Sequence, residues 1–353
     1  MFVSKSITDP SEFTPQYLDA LLRELGLQSD ASVASVIPVG EFKGTGSALY
    51  RFRVSYKGKT DERAPTQLCL KMTRPGEPGS RNREGTFYEQ VAPHIDPSCL
   101  IRCYEAVNDS ETGKYHILMD DISETHENAE EEWPVPPHIH RCEHAIDCLA
   151  DFHGQMWNHP ELGKKIGAIE SNQETKVYWF DVEEMLPRFL DYLGDRISPA
   201  QRQIYEHVVS HSAEYAHLIA DRPSITVRHN DAHFCNFLYP KGGGVTKMID
   251  WEAWKIGLGS FDLAYAIALH WYPERRSLHE RPLLVRYHSR LLRSISTEYS
   301  WEDFRIDYRL AVIHVLFRPV WQWEHKGPVH RWWSHLGRAT SAYQDLDCAE
   351  LLG

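Results

Sequence analysis

The spacing of apolar residues changes period part-way along the chain. Over residues 14–27, Tyr17, Leu18, Leu21, Leu22 and Leu25 recur three and four apart and Gly26 follows, which predicts a short leading helix. Residues 32–39, 48–56 and 67–72 alternate β-branched or aromatic residues with polar ones between Gly- or Pro-bearing turns, and are predicted strands; residues 115–119 form another. Gly40, Gly44 and Gly46 fall in the first turn and Lys57-Gly58-Lys59 opens the second, so hairpins of an antiparallel sheet are expected rather than βαβ units. Residues 81–91 read as a helix. After an acidic, Pro-containing crossing, helical spacing dominates over 139–157, 180–193, 198–219, 261–270, 281–294 and 301–323. One interruption, 227–239 followed by 245–251, carries loop and strand signals and a cluster of polar residues.

This pattern predicts an α+β chain with an antiparallel β-rich N-terminal lobe over 1–118, a hinge and crossing over 119–137, and a larger, mostly helical lobe over 138–353. A length of 353 residues exceeds what one compact core usually holds, which agrees with two lobes. Hydrophobic residues at 42% and charged residues at 25% are an ordinary globular balance. The formal net charge of -12 opposes contact with a phosphate backbone and no basic run offsets it, so nucleic acid is not expected as a partner. Seven cysteines without a Cys-x-x-Cys pair fit a reducing compartment. The N-terminus lacks an apolar signal core and no stretch approaches the roughly 18 apolar residues of a membrane span, so a cytoplasmic location is expected.

The polar interruption holds the chemistry. It contains His229-Asn230-Asp231-Ala232-His233-Phe234-Cys235-Asn236, a His-x-Asp-x-x-x-x-Asn pattern, and Asp250 follows 14 residues after Asn236 at the end of a short apolar strand. Phosphoryl transfer needs a carboxylate to orient an attacking hydroxyl and accept its proton, and hard oxygen ligands to hold Mg²⁺ against the phosphate. Asp231 suits the first role, and Asn236 and Asp250 suit the second.

These residues resemble the catalytic loop of the aminoglycoside phosphotransferase and choline kinase superfamily, whose fold is related to that of protein kinases. Further pieces follow in the family's order: Lys71 in Leu68-Cys69-Leu70-Lys71, Glu84 in Arg83-Glu84-Gly85-Thr86-Phe87-Tyr88, and Ile117-Leu118-Met119-Asp120-Asp121 as a hinge. Leu149-Ala150-Asp151-Phe152-His153 and Gly257-Leu258-Gly259-Ser260-Phe261-Asp262-Leu263-Ala264 complete the set, the latter looking closest to the ecdysteroid-kinase-like branch. The resemblance implies an ATP- and Mg²⁺-dependent kinase acting on a hydroxyl of a small molecule, with ATP between the lobes. Lys71, paired with Glu84, would hold the α- and β-phosphates, although Glu89 in the same helix is an alternative partner. Backbone groups from Met119 through Asp120 to Ile122 would meet adenine, and the loop of Gly44 and Gly46 could cover phosphates through its amides. His229 would fix the catalytic loop and Asp262 would be a buried anchor. There is no Gly-x-Gly-x-x-Gly, Asp250 is followed by Trp251-Glu252, and no activation segment is evident, which disfavours a protein substrate.

Other readings stay open at this point. A nucleotide-binding pseudokinase acting as scaffold or sensor is one, although the complete set of Lys71, Asp231, Asn236 and Asp250 argues against it. His140, His144 and Cys148, at i, i+4 and i+8 of one predicted helix, could hold a transition metal. Trp321, Trp323 and Glu324 could form a cation-attracting wall of the acceptor pocket, or fill the core.

Overall fold

The computed structural model describes residues 6–27, 30–44, 47–76, 83–109, 111–129, 135–169 and 172–353, with the backbone alone described over 172–180. The chain divides into two compact units, Met1–Glu127 with Leu238–Glu252, and Asn128–Phe237 with Ala253–Gly353. Residues 119–127, read in the sequence as part of the crossing, group with the sheet unit, and 238–252 return to it. The return has a structural cause, because the short strands Phe237–Pro240 and Lys247–Met248 join His126–Asn128 in a three-stranded sheet.

The first unit is built on a five-stranded antiparallel sheet. Its strands are β1 (Ser32–Lys43), β2 (Ser47–Lys57), β3 (Gln67–Thr73), β4 (Cys103–Asn108) and β5 (Tyr115–Asp120), in the spatial order β1-β2-β3-β5-β4. β1 runs past the expected end at residue 39, and Gly40 pairs with Arg51 inside the ladder instead of lying in the turn. The register shifts between Pro38 and Gly40, where a residue without an N–H breaks the ladder. The turn itself is narrower, with the Gly44 amide donating to the Ser47 carbonyl at 2.9 Å; Gly46 lies outside the described residues. β4, which the alternation did not reveal, is an edge strand paired with β5 alone.

Helix α1 (Pro15–Glu24) begins where Thr14 accepts the Tyr17 amide at 3.2 Å, with Pro15 in the first turn. It places Leu18 and Leu22, both fully buried, on Phe52, Leu68 and Leu70 of the sheet. Each such leucine contributes about 2 kcal/mol by leaving water. Helix α2 (Glu84–Gln90) is shorter than the expected 81–91 and starts at Glu84 itself.

The second unit is mostly helical: α3 (Ile139–Met156), α4 (Asn172–Leu193), α5 (Pro199–Ser210), α6 (Ser212–Ala220), α7 (Ser260–Leu263), α8 (Pro273–Leu291), α9 (Trp301–Val315), α10 (Arg318–Glu324) and α11 (Val329–Asp345). A π-helical turn, Ala264–Leu269, continues α7 and is buried throughout, its three alanines admitting α9 and α11 at close range. The expected helix over 301–323 is broken because Pro319 cannot donate a backbone hydrogen bond, so α10 restarts there with Pro319 in its first turn. The expected helix over 198–219 breaks at His211, whose φ of -110° and ψ of 21° are not helical. α11 was missed, although Trp332, Leu336, Ala339 and Tyr343 are buried at helical spacing. Among the described residues no helix is long and apolar enough to cross a membrane.

Candidate active site

Lys71 sits in the middle of β3, opposite Leu49 on β2 and Ile117 on β5, so its stem is enclosed by the sheet. Its Nζ lies 2.6 Å from Glu84 Oε2, 2.7 Å from Asp250 Oδ1 and 3.5 Å from Glu252 Oε1. Glu84 is buried and Glu89 exposed, which decides the partner in favour of Glu84. Burial alone would lower the lysine's pKa, but Glu84, Asp250 and Glu252 together hold it well above its usual value, so the ammonium stays charged. Asp250 adopts a left-handed backbone, φ 69°, and the next residue, Trp251, stacks on Phe87 of α2 at 3.8 Å between ring centroids and 7° between planes. The stack fixes the Asp250 loop against the helix that carries Glu84. Oxygens of Glu84, Asp250 and Glu252 lie within 4.8 Å of one another, and three carboxylates against one ammonium leave an excess of negative charge.

In the second unit, the loop bearing Asp231 leaves the strand Thr226–Arg228, which pairs with Lys255–Gly257. Asn230 is left-handed, φ 67°, and turns the chain sharply at this point. Asp262 holds the turn from beneath: its carboxylate accepts the His229 amide at 2.6 Å and the Asn230 amide at 2.7 Å. His153 lies 3.1 Å from the same carboxylate and 2.7 Å from the Tyr287 hydroxyl. Burial would raise the Asp262 pKa, yet the hydrogen bond and charge of His153, with the donated amides, lower it, so the anchor is an anion. Asp262 is thus the buried anchor expected, and His229 is fully buried beside it.

Asp231 is oriented from two sides. Tyr265, in the π-helical turn, donates its phenol to Oδ1 at 2.6 Å, and the Asn236 side-chain amide donates to the Asp231 carbonyl at 2.9 Å and to Oδ2 at 3.3 Å. Because the amide nitrogen of Asn236 is used inward, its carbonyl oxygen is the group left for a ligand. The Asp231 side chain remains 30% exposed, enough to meet a hydroxyl from solvent or substrate.

The expected nucleotide contacts are distributed less evenly. Met119 lies within β5, and the Asp120 amide donates to the Arg102 carbonyl at 3.0 Å while its carboxylate accepts from Tyr104 at 2.7 Å. Asp120 is therefore tied into the sheet at both ends. The Ile122 amide has no hydrogen-bond partner among the described residues.

Two alternatives from the sequence are not supported by geometry. His140 and His144 are exposed while Cys148 is buried, because steps of four residues advance about 40° around a helix and the set winds off one face. Among the described residues they form no cluster of metal-ligand atoms. Trp323 packs on Phe189 and Tyr192, both with centroids at 5.4 Å, and Glu324 is paired with Arg188 at 3.0 Å. Arg318 already lies 4.8 Å from the Trp321 ring. A cation-attracting wall from these three residues is therefore already occupied.

Residues 47–297, more than half of the chain, match the phosphotransferase enzyme family. The chain belongs to this family. No curated protein sequence matches it. Among solved structures, it is similar to an ethanolamine kinase of Plasmodium vivax at 13% identity and a TM-score of 0.50, covering 98% of this chain and 93% of that one. It is also similar to an aminoglycoside 2'-phosphotransferase of type IIIa in its GDP complex, at 12% identity and a TM-score of 0.52, covering 94% and 96%. These likenesses establish a protein-kinase-like fold, and family membership makes the chain a kinase-like phosphotransferase. Two members of the candidate site were not singled out in the sequence. Tyr265 lies 34 residues from Asp231 and looks like any aromatic in a helix, while Glu252 was noted only as a departure from the protein-kinase pattern.

Proposed function

We propose that this phosphotransferase moves the γ-phosphoryl group of ATP to a hydroxyl of a small molecule, with Asp231 as the base. The observation that carries this reading is the Asp231 carboxylate itself, held by Tyr265 and Asn236 on a loop anchored by Asp262, with one face still exposed. With Tyr265 on Oδ1 and Asn236 on Oδ2 holding it, the carboxylate accepts the substrate hydrogen bond and then its proton on its exposed side. Lys71, kept charged by its carboxylates, holds α- and β-phosphate oxygens, and the Ile122 amide, just past the hinge strand, binds adenine.

Oxygen donors of the kind Mg²⁺ requires are present: the carboxylates of Asp250 and Glu252, and the Asn236 carbonyl, whose amide nitrogen is turned inward. Asn236 and Asp250 would hold the ion, which when bound neutralises charge on the transferring phosphoryl group. The protein's own task is positioning, and no covalent enzyme intermediate is required.

The test is Mg²⁺-dependent ATP consumption against a panel of hydroxyl-bearing small molecules, with Asp231→Asn beside the parent. Acceptor-dependent turnover should fall by about 10²- to 10⁴-fold, with ATP binding within a few-fold of the parent. Turnover at the parental rate would remove Asp231 as the base, and ATP binding without turnover on any acceptor would favour the pseudokinase.

A further inference from the structure

The side chains around Asp231 in the second unit have one electrostatic property in common. Arg318, at the start of α10, has its guanidinium carbon 5.5 Å from the centroid of Tyr265, the residue that donates to Asp231. Arg338, on α11, is only 8% exposed and lies 4.0 Å over the Tyr272 ring. The Nε atoms of both are buried without a hydrogen-bond partner, and neither side chain has an ion pair among the described residues.

Three histidines connect this pair of arginines to the base. His233 Nε2 is 3.8 Å from Asp231 Oδ2, the His233 and His270 rings are 5.8 Å apart, and His270 and His335 are 4.9 Å apart. Burial pushes His335 down to about 3, with Arg338, Arg331 and Arg318 adding to the effect, and His270 is lowered by burial, His335 and His233. The imidazoles of His270 and His335 are thus neutral, and the groups acting on them are cationic or would become so.

A guanidinium does not give up its proton, so burying one without an anion is costly. This chain has acidic residues to spare, 50 against 38 basic ones, and supplies them to other arginines of the unit: Arg276 meets Glu280 at 3.0 Å and Arg290 meets Asp151 at 2.6 Å. Arg228 also lacks a carboxylate among the described residues and lies over Phe261 at 4.4 Å, as Arg338 lies over Tyr272 and Arg318 over Trp321. At Arg318 and Arg338 no carboxylate pairs with the guanidinium among the described residues, and Arg318 packs on the tyrosine that holds Asp231.

We infer that the acceptor is an anionic hydroxyl compound, whose carboxylate or phosphate group is gripped by Arg318 and Arg338 while its hydroxyl is presented to Asp231. The inference rests on the phosphotransfer reading above and names its substrate class. A forked guanidinium donates two parallel hydrogen bonds to an oxyanion, which neutral or ammonium-bearing acceptors cannot accept in the same way. His270 and His335, both neutral, add no charge beside the anion.

Two arms test it. In the kinetic arm, glycerate, gluconate and glycerol 3-phosphate are compared with glycerol and sorbitol, and with ethanolamine and glucosamine, using Mg²⁺-ATP and the parent, Asp231→Asn, Arg318→Gln and Arg338→Gln. The expected result is Asp231-dependent turnover of anionic acceptors, with KM for the acceptor raised at least about 10-fold in each arginine variant and KM for ATP unchanged. In the binding arm, calorimetry with glycerate and with glycerol 3-phosphate should show binding to Asp231→Asn that weakens by a similar factor when Arg318→Gln is added. Arg338→Lys, which keeps the charge and loses the fork, covers the case in which Arg338→Gln does not fold, and should give an intermediate KM. Asp231-dependent turnover confined to neutral or ammonium acceptors overturns the anion assignment and leaves phosphotransfer standing, as does an unchanged acceptor KM in the arginine variants. Absence of Asp231-dependent turnover with every class removes the phosphotransfer reading and this inference with it.

Discussion

Tyr265 donates its phenolic hydrogen to Oδ1 of Asp231 at 2.6 Å from within a fully buried π-helical turn. Burial, followed by the charge of Asp231, raises the tyrosine pKa, so the phenol remains a donor at any working pH. The bond holds Oδ1 and so the orientation of the carboxylate. Tyr265→Phe keeps the ring and removes only this donor. A hydrogen bond to a charged group contributes about 1.5 kcal/mol, so kcat should fall about 10-fold with KM for ATP unchanged. Parental kcat would show that Asn236 alone is enough to position the carboxylate.

Lys71 is the counter-charge of a buried carboxylate, since Glu84 is 2% exposed and 2.6 Å away. Lys71→Met leaves Glu84 without compensation, and breaking such a pair from one side costs about 3–5 kcal/mol. The Glu84 pKa is already raised, chiefly by burial. Loss of the lysine raises it further, and a carboxyl with a raised folded-state pKa contributes stability below its unfolded value that is lost as pH rises through the folded one. Thermal melts of Lys71→Met should therefore show a deficit that is largest near neutrality and shrinks toward pH 5. A deficit independent of pH would mean that packing, not the stranded carboxylate, is responsible.

The loop from His229 to Asn236 and Asp250 was legible in the sequence because its groups lie close together in the chain and in a fixed order. The strands β2, β3 and β5 were legible for a similar reason, since local alternation decides them. Other features depend on tertiary structure. Glu84 and Glu89 fit one helix equally well by spacing, and only the buried start of α2 separates them. Gly40 read as a turn residue, but Pro38 creates a bulge that carries β1 past it. Arg318 and Arg338 look like any arginines in a list of residues, because whether a guanidinium has a partner is decided by elements distant in sequence.

His335 is buried and lies close to Arg338, which together with burial takes its pKa down to about 3 from an ordinary histidine value near 6.5. In the unfolded chain it takes up a proton as pH falls below about 6.5, while in the folded chain it does not until about 3. Stability present above pH 6.5 is therefore lost as pH falls toward 3, at about 1.4 kcal/mol per pH unit for this one group. His270, lowered for related reasons, adds to the slope. Denaturant midpoints measured from pH 7 to pH 5 should decline in the parent, and His335→Gln should flatten the decline by about one proton. An equal slope in the variant would mean that His335 titrates normally in the folded protein.

Gly259 lies in the segment that leads to Asp262, and its space is limited by two residues of the anchor. A Cβ there would sit 2.8 Å from His153 Nδ1 and 2.9 Å from the Tyr287 hydroxyl, two atoms bonded to one another at 2.7 Å. Neither can move away without breaking that bond or shifting the His153 contact to Asp262. Strain introduced at Gly259 should thus pass through His153 to the carboxylate that holds the His229 and Asn230 amides, and so to the orientation of Asp231. Gly259→Ala should destabilise the protein by about 1–3 kcal/mol, a typical cost of overpacking a buried site. It should also lower kcat more than it raises KM for ATP, because the nucleotide contacts assigned to Lys71 and Ile122 are on the other unit. A stability loss without any change in kcat would show that the Asp262 anchor tolerates displacement of His153.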